Sequence, residues 1–171
     1  RGALMDEARA WENLLSSSAL VFNLFAPLKA DATLALSVLK AAFTIEAARI
    51  DGIWFETSPG RGDDAYIVDH TALDVLITYT DTDGRSCFVG IEVKYAEDRP
   101  GTATPIKPRL LEIARRSKLF ADPENTALHR PPLRQFFAEH MLCHAMVHER
   151  RDFERGTFAV VSPTLNYEMS A

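Results

Sequence analysis

Only two cysteines, Cys87 and Cys143, occur in 171 residues, too few for a disulfide framework. Each lies in apolar sequence, where a free cysteine behaves as a small core residue, so no thiol chemistry is expected. No stretch approaches the roughly 18 uninterrupted apolar residues that a membrane helix needs, and no basic segment leads into an apolar run near the N-terminus. A cytoplasmic protein with no membrane partner is the expectation. The glycine-bearing loop at residues 58–64 lacks the Gly-Lys-Ser/Thr ending of a phosphate-cradling P-loop, which argues against ATP hydrolysis. Its Arg-Gly-Asp tripeptide, residues 61–63, carries no adhesive meaning in a cytoplasmic chain. There is no helix-turn-helix, zinc finger or aromatic base-stacking platform, so base-specific recognition has no visible basis. Repeats, low-complexity tracts and long linkers are also missing.

What is present is the composition of one soluble domain with a single core, residues 1–171, with 47% hydrophobic and 25% charged residues. The chain begins at Arg1 rather than methionine and stops in polar sequence, which leaves room for truncation of a longer protein at the C-terminus. The net charge of −5 is unevenly spread. Residues 1–98 hold 8 Lys and Arg against 16 Asp and Glu, net −8, whereas residues 99–155 hold 11 against 7, net +4. An acidic half beside a basic half suits a metal site next to a phosphate-binding surface, and ordinary solvated helix faces give the same totals.

The N-terminal third has helical periodicity: Leu4 to Leu15, then an apolar run from Ala19 to Phe25 closed by Pro27, then a helix capped by Asp31 and running from Ala32 to about Ala48. Ile53 to Thr57 has the pattern of a short strand, followed by the turn-forming Ser58 to Asp64. Thr71 to Thr80 and Arg85 to Tyr95 are rich in Val, Ile, Tyr and Phe and form the clearest pair of strands. Helices are expected over Pro108 to Phe120 and Leu133 to about Glu149, and a buried strand over Thr157 to Val161.

The hairpin carries the chemistry. A three-residue loop of Thr82, Asp83 and Gly84, with the glycine in a left-handed conformation, pairs Asp81 with Arg85 and therefore Asp74 with Glu92. Opposed residues in an antiparallel pair point to one face, and Lys94, two residues beyond Glu92, joins that face. Two opposed carboxylates repel unless something positive lies between them. Mg²⁺, with Mn²⁺ able to substitute, suits such hard oxygen donors, and the Val93 backbone carbonyl offers one more. Lys94 would then orient or help deprotonate the attacking water and stabilise charge on a phosphate. A surface hairpin with an ordinary Glu and Lys is the plainer alternative. The apolar residues Phe88, Val89, Ile91 and Val93 argue for a central, buried strand in which charged groups need partners.

Thr71-Ala72-Leu73-Asp74, followed by Gly90-Ile91-Glu92-Val93-Lys94-Tyr95, resembles the motif pair of the PD-(D/E)XK nuclease superfamily. Ser58-Pro59-Gly60-Arg61, Asn23-Leu24-Phe25 and Val161-Ser162-Pro163 are similar to a restriction-endonuclease-like bacterial branch of it. Leu73 replaces other apolar residues, and no proline precedes Asp74. The resemblance implies an α/β, restriction-endonuclease-like three-layer core with a mixed central sheet flanked by helices. It implies Asp74 and Glu92 as metal ligands, Lys94 as the catalytic lysine, and nucleic acid, with DNA expected, as the partner. It also implies a further acid, for which Glu56 is preferred over Glu46, and a helix residue at the active site or substrate backbone, for which Arg134 and Gln135 fit loosely. A homodimer is compatible with it.

His140, His144 and His148 recur every four residues near Glu139 and Cys143, a pattern open to a transition-metal site, but the stripe drifts round the helix and lacks a His-Glu-x-x-His arrangement, so satisfied histidines on a partly buried face are the plainer reading. Lys107, Arg109, Arg115, Arg116 and Lys118, with Arg130, Arg134, Arg150, Arg151 and Arg155, would either bind a phosphate backbone or pair with Glu112, Glu139 and Glu149. Three functions follow: a metal-dependent nuclease acting on DNA in defence or repair, a catalytically silent nucleic-acid-binding or scaffolding module, and a hydrolase using the histidines.

Overall fold

The computed structural model describes residues 17–95 and 105–164, so the helix expected over Leu4 to Leu15 lies outside the described residues. The described chain runs through helices α1 (Ser17–Ala30) and α2 (Ala32–Phe43), strands β1 (Ala47–Thr57), β2 (Leu73–Asp81) and β3 (Ser86–Val93), helices α3 (Pro108–Ser117) and α4 (Leu133–His148), and strand β4 (Arg155–Val161). A short 3₁₀ turn, Thr126–His129, precedes α4. The strands form one mixed sheet in the order β1-β2-β3-β4. This is the α/β architecture of the restriction-endonuclease-like type anticipated above. The described residues divide into two compact units, one within Arg1–Thr57, Leu73–Asp98 and Ala159–Ala171, the other within Ser58–Ala72 and Arg99–Phe158.

In the first unit, alternation along β2 and β3 sorts the two faces of the sheet. Val75, Ile77 and Tyr79 of β2 and Cys87, Val89, Ile91 and Val93 of β3 share one buried cluster with Val21, Phe25 and Leu28 of α1 and Ala35 and Leu39 of α2. The intervening residues, Asp74, Leu76 and Thr78 on β2 and Phe88, Gly90 and Glu92 on β3, belong to the opposite face. Both faces are buried at the centre of the pair, Leu76 and Phe88 among the residues on the second, and the register decides which side chains each face must accommodate.

Four boundaries differ from the sequence expectation for identifiable reasons. Helix α1 continues through Pro27 to Ala30, since proline loses only its own N–H donor and its carbonyl still accepts the Asp31 N–H at 3.1 Å. Helix α2 stops at Phe43, where Thr44 turns left-handed at φ 52°. The Ala47 to Arg49 stretch that reads as helix is drawn into β1 by pairing with Thr80 and Asp81 of β2. Helix α3 ends at Ser117 because Lys118 is left-handed at φ 57°. Strand β4 is not buried as expected: it lies at the sheet edge, and its residues are half-buried or exposed.

Asp31 caps α2 as anticipated, its Oδ1 accepting the N–H groups of Thr33 at 2.9 Å and Leu34 at 3.0 Å. The β2–β3 turn matches its expected chemistry too. Gly84 has φ +83°, and its N–H donates to the Asp81 carbonyl at 3.1 Å. The Asp81 carboxylate accepts the N–H groups of Asp83 at 2.9 Å and Arg85 at 2.8 Å, locking the loop. A Cβ at position 84 would meet nothing within 4 Å, so replacing this glycine costs backbone strain alone. Gly84→Ala is expected to lower stability by about 1 kcal/mol in urea denaturation, from the left-handed conformation it forces on alanine. An unchanged unfolding midpoint would show that the turn does not constrain the hairpin.

Candidate active site on the β2–β3 hairpin

From the turn, the strand register runs Thr80↔Ser86, Tyr79↔Cys87 and on to Val75↔Ile91. Continuing it by one residue sets Asp74 opposite Glu92, on the sheet face turned away from α1 and α2. At this point the Asp74 side chain enters the ladder, its Oδ2 accepting the Val93 N–H at 2.7 Å. A bond this short is typical of a charged acceptor, and it fixes the carboxylate against the neighbouring strand.

Glu92 is 2% exposed. Isolating a carboxylate from water costs several kcal/mol unless a cation and hydrogen bonds offset it. Lys94 provides the cation, with Nζ 2.7 Å from Glu92 Oε1. The Lys94 backbone is held in turn by its N–H donating to the Val161 carbonyl of β4 at 2.9 Å. Acid, opposed acid and lysine are therefore each anchored to the strand framework. Val93, whose side chain is in the core cluster, ties its backbone to the site through its N–H.

Glu56 lies near the end of β1. The pairs Phe55↔Val75 and Thr57↔Leu73 bracket it, which places its backbone across from Asp74 in the same cross-strand row. Its φ of 47° is left-handed, a conformation that costs a non-glycine residue on the order of 1–3 kcal/mol and concentrates at functional sites. Among the described residues, no three or more His, Cys, Asp or Glu side chains converge in a way that could hold a metal. The hairpin offers at most the Asp74 and Glu92 carboxylates as side-chain donors. That fits Mg²⁺, which takes one or two carboxylates and leaves its other positions to water and phosphate oxygens.

The remaining expected residues belong to the second unit. Gln135, in the first turn of α4, donates from Nε2 to Glu139 Oε1 at 2.8 Å. Glu139 is fully buried, one turn after Gln135. Arg134 is ion-paired with Asp69 at 2.9 Å, with both side chains mostly buried. Of the basic residues, Arg109 pairs with Glu112 and Glu149, Arg115 with Glu124, and Arg116 with Glu112 and Glu149. Arg109 and Arg116 thus pair with two of the acids named for the paired reading, whereas the partner of Arg115, Glu124, is not among them. Burial pushes the Cys143 thiol far above its usual range, with the Glu139 charge adding to it, consistent with an inert core cysteine. Among the described residues no helix is long and apolar enough to cross a membrane.

Burial alone would raise the Asp69 pKa, but hydrogen bonds from Arg134 and Thr71, the Arg134 charge and the His70 N–H outweigh it and leave it below its ordinary value of 3.8. A depressed folded-state pKa contributes stability above the unfolded pKa, and that stability is lost as pH falls through the folded value. Asp69→Asn is therefore expected to lower stability at neutral pH, with the gap to wild type narrowing below about pH 3.8. Urea denaturation across a pH series checks this; a gap independent of pH would contradict it.

Comparison with known proteins gives one family. The family model of the PD-(D/E)XK nuclease superfamily matches residues 1–171, the whole chain. Searches of curated proteins and of solved structures found no match.

Proposed function

The chain belongs to the PD-(D/E)XK nuclease superfamily, and from that membership we propose that it is a divalent-metal-dependent nuclease hydrolysing phosphodiester bonds of DNA. Membership itself implies nuclease-type phosphodiester hydrolysis; the metal, the substrate and the residue roles are our assignment. The observation that carries it is the buried Glu92, ion-paired with Lys94, with Asp74 one residue beyond the Val75↔Ile91 pair on the neighbouring strand. A structural hairpin has no need of two like charges in this position.

In this assignment Asp74, Glu92 and the Val93 carbonyl would hold Mg²⁺, with Mn²⁺ as a substitute. When bound, the cation supplies Lewis acidity at the scissile phosphate. Lys94, only 16% exposed, keeps its ammonium in a site of low dielectric, where it orients the attacking water and donates to a phosphate oxygen as negative charge builds there. The water oxygen adds to phosphorus and gives up a proton to solvent, the opposite P–O bond breaks, and the departing oxygen takes a proton from solvent. Glu56 is the further acid at the end of the row, and Gln135, held by Glu139, contacts the nucleic-acid backbone. Defence or repair is the cellular setting this activity suits.

The silent binding-module alternative needs a free basic surface, and the pairing of Arg109, Arg115, Arg116 and Arg134 with carboxylates gives it less support. Incubation with plasmid and linear DNA in Mg²⁺ or Mn²⁺ should give cleavage that a chelator abolishes. Lys94→Ala should slow it about 10²–10³-fold, the usual cost of removing one group that stabilises developing charge. No cleavage of DNA by the wild type, or a rate untouched by Lys94→Ala, overturns the assignment.

A further inference from the structure

The three histidines of α4 do not form one stripe. His140 stacks on Phe158, with ring centroids 5.5 Å apart, and meets Phe120 edge-on at 5.7 Å, so it is a member of an aromatic cluster. His144 and His148 face each other instead, with centroids 4.3 Å apart and planes inclined by 33°. Both line an open groove of about 400 Å³ together with Arg116, Ser117, Leu119 and Glu149, all in the second unit.

We propose that His144 and His148 chelate a borderline divalent transition-metal ion, of the Zn²⁺ class, in this groove. Histidines four residues apart on a helix present their rings one turn above the other, the spacing at which two imidazoles can share an ion. Two nitrogens at Zn–N distances of 2.0–2.1 Å on a tetrahedral ion are about 3.4 Å apart. Rings with centroids at 4.3 Å reach that separation by small side-chain rotations. An anion is the other ligand such a groove could take, but its charge is already balanced. The Glu149 carboxylate accepts from both Arg109, at 2.9 Å, and Arg116, at 2.6 Å, leaving Arg116 engaged rather than offered to solvent. No third His, Cys, Asp or Glu joins the pair among the described residues, so the ion would hold two protein nitrogens and leave its other positions to water or an incoming ligand.

This ion is separate from the one assigned to the hairpin and does not depend on nuclease activity. Isothermal titration of the full chain with Zn²⁺ in excess Mg²⁺ tests it, because Mg²⁺ occupies oxygen sites and leaves imidazole free. One Zn²⁺ per chain is expected. His144→Asn and His148→Asn should each weaken it at least about tenfold, since loss of even a supporting partner of a metal ligand costs about 10–100-fold. Asp74→Asn should leave the affinity unchanged. As a check that needs no variant, Zn²⁺ should protect His144 and His148 of the wild type from acylation by diethylpyrocarbonate. No Zn²⁺ uptake, uptake indifferent to both histidine variants, or absence of protection overturns the proposal.

Discussion

Residues facing each other across antiparallel strands share a face, with Cβ atoms about 4.5–5.5 Å apart, and this constraint governs the β2–β3 hairpin. Gly84 and the Asp81 carboxylate set its phase at the turn. From there Val75 meets Ile91 in the cluster with α1 and α2, and the next residues along, Asp74 and Glu92, are obliged to meet on the other side. Hydrophobic burial and site geometry thus depend on one register. A slip of a single residue would place the acids in the apolar core and Val75 and Ile91 outside it, a cost no local rearrangement could absorb.

The charged row strains against this framework and is restrained by it. Glu92 is removed from water and balanced by Lys94; Asp74 is tied to the Val93 N–H; Glu56 holds a left-handed backbone opposite Asp74. Each of these is a local conflict that apolar packing alone would not select. Such conflicts concentrate where a protein binds or reacts. In the second unit the charges behave differently: Arg134 with Asp69, and Arg109 and Arg116 with Glu149, are closed ion pairs that hold structure together.

Much of the site is legible in the sequence because strand parity is a short-range rule. Given a three-residue turn ending in Gly84, the opposition of Asp74 and Glu92 follows without any tertiary information, and the structure keeps the register leading to it from Thr80↔Ser86 to Val75↔Ile91. The boundaries that escape are those decided by distant partners. Ala47 to Arg49 has helical character until β2 supplies a neighbour, and β4 reads as buried from its apolar residues although its edge position leaves it half open. The left-handed residues Thr44 and Lys118 end helices without the glycine that usually marks such a stop. The histidines read as one periodic stripe, yet side-chain packing against Phe120 and Phe158 divides His140 from His144 and His148. Periodicity specifies which helix face a residue occupies, not which neighbours fill that face.

Whether the opposed carboxylates of one hairpin share a single cation is tested most directly by anomalous diffraction from crystals soaked in Mn²⁺. One manganese peak within coordination distance of both the Asp74 and Glu92 carboxylates is the predicted result. A peak bound to neither, or an ordered hairpin with no manganese at saturating concentration, would contradict it.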